Sequence, residues 1–300
     1  MKKLFLLSII SMTLLFSCKQ DVQEIGQRQG KGGIFYGGVF RMNEVQDFRN
    51  LYPLNITEVT GHRITNQIYE GLVKISQKDL TIQPSIAENW EVNEEATNFT
   101  FHLRKGVMFH DDPCFSGGIG REVTANDFKY SFNKLCSADP QNQGFWVFKN
   151  RVVGADEYHQ STIDGSPLED GISGVEVIDD YTIKIVLKYP FAGFLEVLAT
   201  PFCWVVPEEA NDKYGIDMRA HCVGTGAFKA KTIKEGEAVI LIRNEKYWDV
   251  DEHGNQIPYL DAIKFTFLKE KKAELLEFRK GKLDMIFELP IEMIDEVMGE

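Results

Sequence analysis

Widely separated stretches of this chain alternate apolar and polar residues with a period of two, and they constrain the fold more than any other feature. Phe99, Phe101 and Leu103 alternate with Thr100, His102 and Arg104. Tyr181, Ile183, Ile185 and Leu187 do the same against Thr182, Lys184 and Lys188, and Ile263, Phe265 and Phe267 form a third run. Side chains on a strand point to opposite faces in turn, so each run is a half-buried strand that needs partners from far away in sequence. Val239 to Ile242 is apolar throughout and reads as a strand buried on both faces. Helical patterns lie between the strands. Thr124 followed by Asp127 has the spacing of a capping box, with Phe128, Phe132 and Leu135 on one face. A second helix covers about Glu270 to Lys280, with Arg279 and Lys280 at its C-terminal end and Gly281 as its cap. Strands and helices without strict βαβ alternation make the fold class α/β (mixed).

The two ends of the chain have their own logic. Lys2 and Lys3 precede an apolar run from Leu4 to Phe16, and Lys19 follows it. That run is short for a hydrocarbon core of ~30 Å, so residues 1–17 read as a secretory signal. It ends Leu15-Phe16-Ser17-Cys18, which resembles the lipobox of bacterial lipoproteins. The resemblance implies lipidation of Cys18, and so an exported protein held on a membrane by its lipid anchor. Residues 18–33 are polar and glycine-rich and read as a flexible tether. The formal charge is −12, or −14 once Lys2 and Lys3 leave with the signal. Such a balance excludes nucleic acid as a partner, because its binding rests on Lys and Arg against phosphates.

Export also bears on the cysteines. Cys114, Cys136, Cys203 and Cys222 allow three pairings; nearness in sequence favours Cys203 with Cys222 and Cys114 with Cys136, and four free thiols stand as the alternative. Their spacing does not make a zinc site. The histidines are scattered, and His110-Asp111-Asp112 reads as a polar turn rather than a metal centre. No nucleophile elbow, HExxH or P-loop is present, so the chain is expected to have no catalytic residues, no metal and no cofactor.

A series of longer motifs identifies a scaffold. In order they are Ile68-Tyr69-Glu70-Gly71-Leu72-Val73, Pro84 to Trp90, Thr100 to Asp111, Val123 to Phe128, Val223 to Phe228, Arg243 to Trp248 and Pro258-Tyr259-Leu260-Asp261. The series resembles the oligopeptide-, dipeptide- and nickel-binding proteins of bacterial ABC importers, from about residue 34 to the end. It departs from that pattern at Asp112, where glycine is usual, and in an insertion from Pro113 to Arg121. The resemblance implies a periplasmic-binding-protein-like, two-lobed fold that closes on its ligand. Residues 34–268 would form the first lobe, with an inserted subdomain at about 59–174, and residues 269–300 would begin the crossing to the second. It implies a mature protein nearly twice this long, so this chain alone is expected to bind ligand weakly. The helical pattern after Leu289-Pro290 places Ile291, Ile294, Val297 and Met298 on one apolar side.

The implied function is capture of oligopeptides or dipeptides for an ABC permease and ATPase. Nickel chelate, haem or sugar on the same scaffold is the alternative, as is a surface receptor without a transporter. The segment that meets the peptide backbone in this family corresponds here to Asn43, Glu44 and Val45. Trp204 and the loop Gly224-Thr225-Gly226 are further cleft candidates.

Overall fold

The computed structural model describes residues 28–299. Strands β1 (Arg28–Gln29) and β2 (Phe35–Tyr36) form a small antiparallel pair. They are followed by β3 (Val39–Asn43), helix α1 (Val59–Thr65) and the hairpin of β4 (Val73–Ile75) with β5 (Ile82–Pro84). Next come β6 (Ala87–Val92), β7 (Asn98–Leu103), α2 (Ala125–Cys136), α3 (Ala155–Ile163), β8 (Val175–Asp179) and β9 (Thr182–Val186). The chain continues through α4 (Phe194–Leu198), α5 (Glu208–Tyr214), β10 (Phe228–Lys234), β11 (Ala238–Arg243) and β12 (Ala262–Thr266). It closes with α6 (Lys271–Arg279) and α7 (Ile294–Met298).

Two four-stranded sheets organise these elements. One has the order β10-β11-β12-β3, with β3 parallel to β12 and the other pairs antiparallel. On the outer side of β3 a bridge joins Met42 to Met285 in parallel, and Arg41 grips Asp284 with Nε at 3.0 Å and Nη2 at 2.7 Å. The second sheet, β6-β7-β9-β8, is antiparallel throughout. Its strands alternate as expected: Phe99, Phe101, Leu103, Ile183 and Ile185 are buried. Helix α2 lays Phe128, Phe132 and Leu135, all fully buried, into the same core that takes Leu241 and Phe265 of the first sheet. The capping box at Thr124 is present, and Asp127 also receives Arg121 at 2.7 and 2.9 Å. Because β8 and β9 complete the second sheet, that layer runs past residue 174.

Three expectations need correction. The tether does not reach residue 33, because Arg28 pairs with Asp261 at 2.8 Å and the backbone of Lys31 is held by the Asn255 amide at 2.7 and 3.1 Å. Polar, glycine-rich sequence packs here because distant side chains satisfy its peptide groups. The two sequence-neighbour disulfides are not formed: Cys114, Cys136, Cys203 and Cys222 are all free. Cys114 lies beside Asp112, Cys222 lies against Tyr69, and Cys136 at the end of α2 has Cys203 as its neighbour instead of Cys114. The strand at Val239 to Ile242 is not buried on both faces either. Val239 and Leu241 are buried, whereas Ile240 and Ile242 are half-covered. The helix expected at residues 270–280 is α6, and Gly281 follows it at φ +66°.

Candidate functional site

Helix α1 carries the site. Ile64 and, just beyond the helix, Ile68 are fully buried and pin it to the core, while Val59 stays 64% exposed. The outward face therefore presents Val59, His62, Arg63 and, one turn on, Asn66, and three adjoining hollows run along it. One of about 320 Å³ is walled by Ile56 to Val59, His62, Arg63 and Asn66. A second, of about 310 Å³, shares Val59 and Arg63 and is completed by Asn43 to Gln46, Lys271, Phe287 and Glu288. The third, about 640 Å³, shares His62 and Asn66 and extends over Glu70, Lys74, Trp204, Gly226 and Tyr247. Shared walls make the three one concave strip.

The smallest hollow sits at the carboxyl end of β3. Asn43 is buried and its amide is committed, donating to the Leu268 carbonyl at 3.0 Å and accepting from the Leu268 N–H at 2.7 Å. Glu44 is buried as well. Both its oxygens accept from Arg63 Nη1, at 2.9 and 3.0 Å, and the Thr60 hydroxyl lies 3.4 Å from one of them. The Arg63 guanidinium in turn lies over the Phe287 ring, 3.7 Å from its centre. The ladder to β12 ends where the Glu44 N–H reaches the Thr266 carbonyl at 2.9 Å. Beyond it, the N–H and carbonyl groups of Val45 and Gln46 have no partner among the described residues. Unpaired main chain beside a concave surface is equipment for pairing with another extended chain.

The largest hollow is built around a carboxylate. Glu70 accepts from the Thr225 hydroxyl at 2.8 Å, the Tyr247 hydroxyl at 2.9 Å and Trp248 Nε1 at 3.2 Å. Burial raises its pKa above the ordinary value, and those donors pull it back down. Three sequence motifs thus meet on one side chain. Trp204 stacks on Tyr69 with centroids 6.2 Å apart and meets the edge of His62 at 6.0 Å. Burial lowers the His62 pKa below its ordinary value, which favours the neutral ring.

The glycines of the 224–226 loop serve close packing. A Cβ on Gly224 would lie 2.1 Å from the Ile68 carbonyl oxygen, and one on Gly226 would lie 2.6 Å from that of Gln67. Among the described residues, no group of three or more His, Cys, Asp or Glu side chains could hold a metal ion. His110 is buried and donates from Nε2 to the Gly226 carbonyl at 2.9 Å. Asp112, in the glycine position, accepts from Tyr214, His221 and the Cys114 N–H. These bonds hold the His110–Asp112 stretch in extended chain just before the turn at Pro113 and Cys114.

Comparison with known proteins places this geometry. Residues 81–299 match the family described as bacterial extracellular solute-binding proteins, family 5, middle region. The chain belongs to this family. The periplasmic oligopeptide-binding protein OppA of Salmonella typhimurium is 28% identical over 264 residues, which are 86% of this chain and 45% of that protein. Heme-binding protein A of Haemophilus influenzae is 29% identical over 242 residues, 78% of this chain and 41% of that one. The periplasmic binding protein DppA from Helicobacter pylori, solved in complex with the peptide STSA, superposes with a TM-score of 0.73 at 23% identity. That superposition covers 88% of this chain and 49% of DppA. The chain spans less than half the length of these curated relatives, and the fold is that of periplasmic peptide-binding proteins.

Within this family-5 chain the sequence candidates divide between the hollows. Asn43, Glu44 and Val45 share the small hollow, whereas Trp204 and Gly226 wall the large one. Gly224 and Thr225 wall neither, and Thr225 acts by holding Glu70. Cys18 lies outside the described residues. Sequence reasoning missed Ile56 to Val59, His62, Arg63 and Phe287. The one signal for α1 is an amphipathic pattern, Ile64 and Ile68 inward with His62, Arg63 and Asn66 outward, in a helix of only seven residues. Nothing in the sequence ties Arg63 to Glu44 or to Phe287. Among the described residues, no helix is long and apolar enough to cross a membrane.

Proposed function

We propose that this chain carries the ligand-capturing wall of a lipid-anchored receptor that binds peptides and delivers them to an ABC permease and its ATPase. The observation that carries the reading is the unpaired main chain of Val45 and Gln46 in the hollow that α1 completes. An extended peptide can satisfy those groups by strand-like pairing without regard to its side chains. The larger hollow, polar and open enough to hold water, then accommodates varied side chains. Relatives named for oligopeptides support the peptide class, and a relative named for haem supplies the competing one.

Saturation-transfer NMR reads weak binding directly and tests the class. The chain would be presented with di- to pentapeptides, haemin, a nickel–histidine chelate and cellobiose. Transfer to the peptides alone is the expected result; saturation of haemin, the chelate or cellobiose with none to any peptide would overturn the reading. Anchoring is a separate matter with its own experiment. Cys18→Ser should move the exported protein from the membrane fraction to the soluble one, and a variant that stays in membranes would refute lipidation at that residue.

A further inference from the structure

Arg63 presents half of its guanidinium unused. Nη1 is spent on Glu44, whereas Nε and Nη2 have no hydrogen-bond partner among the described residues. Those two nitrogens form one of the two guanidinium edges whose N–H bonds run parallel and match a carboxylate with two bonds. The same chain shows what this edge does when a carboxylate is in reach. Arg41 uses Nε and Nη2 to hold Asp284 at 3.0 and 2.7 Å. Arg121 uses them to hold Glu209 at 2.6 and 2.9 Å, while Nη1 and Nη2 hold Asp127. Arg121 thus carries two carboxylates, one on each edge. Arg63 holds its one carboxylate through Nη1 alone, and its Nε–Nη2 edge holds none among the described residues.

Its surroundings suit a receptor. Glu44 on Nη1 and the Phe287 ring beneath hold the guanidinium, so less side-chain entropy remains to be lost on binding. Arg63 walls both smaller hollows and is about one-third exposed. Glu58 beside it does not fill the edge, because its oxygens accept from the N–H groups of Arg49, Asn50 and Thr57. Glu44 already balances the Arg63 charge, so recognition would depend on the geometry of the edge more than on net attraction.

We propose that the Nε–Nη2 edge of Arg63 receives a carboxylate of the ligand and makes the site prefer acidic ligands over their amides. The peptide reading enters only in naming the carrier, which would offer its C-terminus or an Asp or Glu side chain.

Chain labelled with ¹⁵N-arginine allows the edge to be tested alone, with the Arg63 Nε–H signal assigned by its loss in Arg63→Lys. Propionate should shift that signal to saturation and propionamide should not; an unmoved signal would overturn the proposal. Tetra-alanine, its C-terminal amide, and the amide of Ala-Asp-Ala-Ala then separate the two sources of carboxylate. The plain amide should bind at least about tenfold more weakly than tetra-alanine, and recovery by the aspartyl amide would assign the edge to side chains as well. Arg63→Lys keeps a cation for Glu44, so it should keep the wild-type melting profile while losing the discrimination. Undiminished discrimination in that variant would also overturn the proposal. If propionate shifts the signal but no peptide binds, the receptor edge stands and the peptide reading falls.

Discussion

Two residues show how a side chain's surroundings reverse what its chemistry alone suggests. Glu44, singled out as a residue facing ligand, is buried under Arg63 and Thr60. Glu44→Ala should therefore lower the stability of the folded chain by about 1–2 kcal/mol, read as a drop in the urea midpoint, besides loosening Arg63. An unchanged midpoint would mean the pair contributes nothing. His110 is the second case. Burial depresses its pKa from 6.5 to about 4, with the bond to the Gly226 carbonyl working the other way. The unfolded chain takes up this proton as pH falls below 6.5, and the folded chain does not until about 4. Stability is therefore lost across that window, by about 3 kcal/mol in all. His110→Gln keeps a donor for Gly226 and should flatten the acid limb of the stability curve between pH 6.5 and 4. An equally steep limb in the variant would place its cause elsewhere.

Elements register the sequence unevenly. The capping box, the inward face of α2 and the alternation of β7 and β9 were legible because each follows from neighbours along the chain. The glycines at 224 and 226 stood out in the sequence as cleft candidates, and the fold also uses them for close packing. They let the strand entering β10 close on residues 67 and 68, with the Gly226 N–H on the Ile68 carbonyl at 2.8 Å. Gly224→Ala forces a Cβ against a main-chain oxygen that cannot step aside. It should lower stability by about 3 kcal/mol, the upper end for overpacking. Gly281→Ala, with open space around it and a backbone at φ +66°, should lower it by only about 1 kcal/mol. Equal urea midpoints for the two variants would contradict the close approach.

Over the whole molecule, the fold leaves unbridged the cysteines that lie near one another in sequence. Four thiols spread across α2, the inserted loop and the segments before β10 have no bridge, and burial pushes Cys203 and Cys222 up to about 12. Alkylation in denaturant without reductant should label Cys114, Cys136, Cys203 and Cys222 alike. A pair that labels only after reduction would show that a bridge forms.

The motif series and the alternating strands determined the family and its mixed α/β class, because both are written in local spacing. Local spacing also carried the capping box and the helix ending at Gly281. It could not say that Glu44 would pair with Arg63, or that residues 28–33 would pack on Asn255 and Asp261. Nor could it bring Phe287 beneath Arg63. Those contacts join residues 19 to more than 200 positions apart, and for the most distant pairs the closing of β12 onto β3 and the bridge at Met285 bring the partners within reach. A burial pattern is a property of neighbours in sequence, whereas a pairing of charges is a property of neighbours in space.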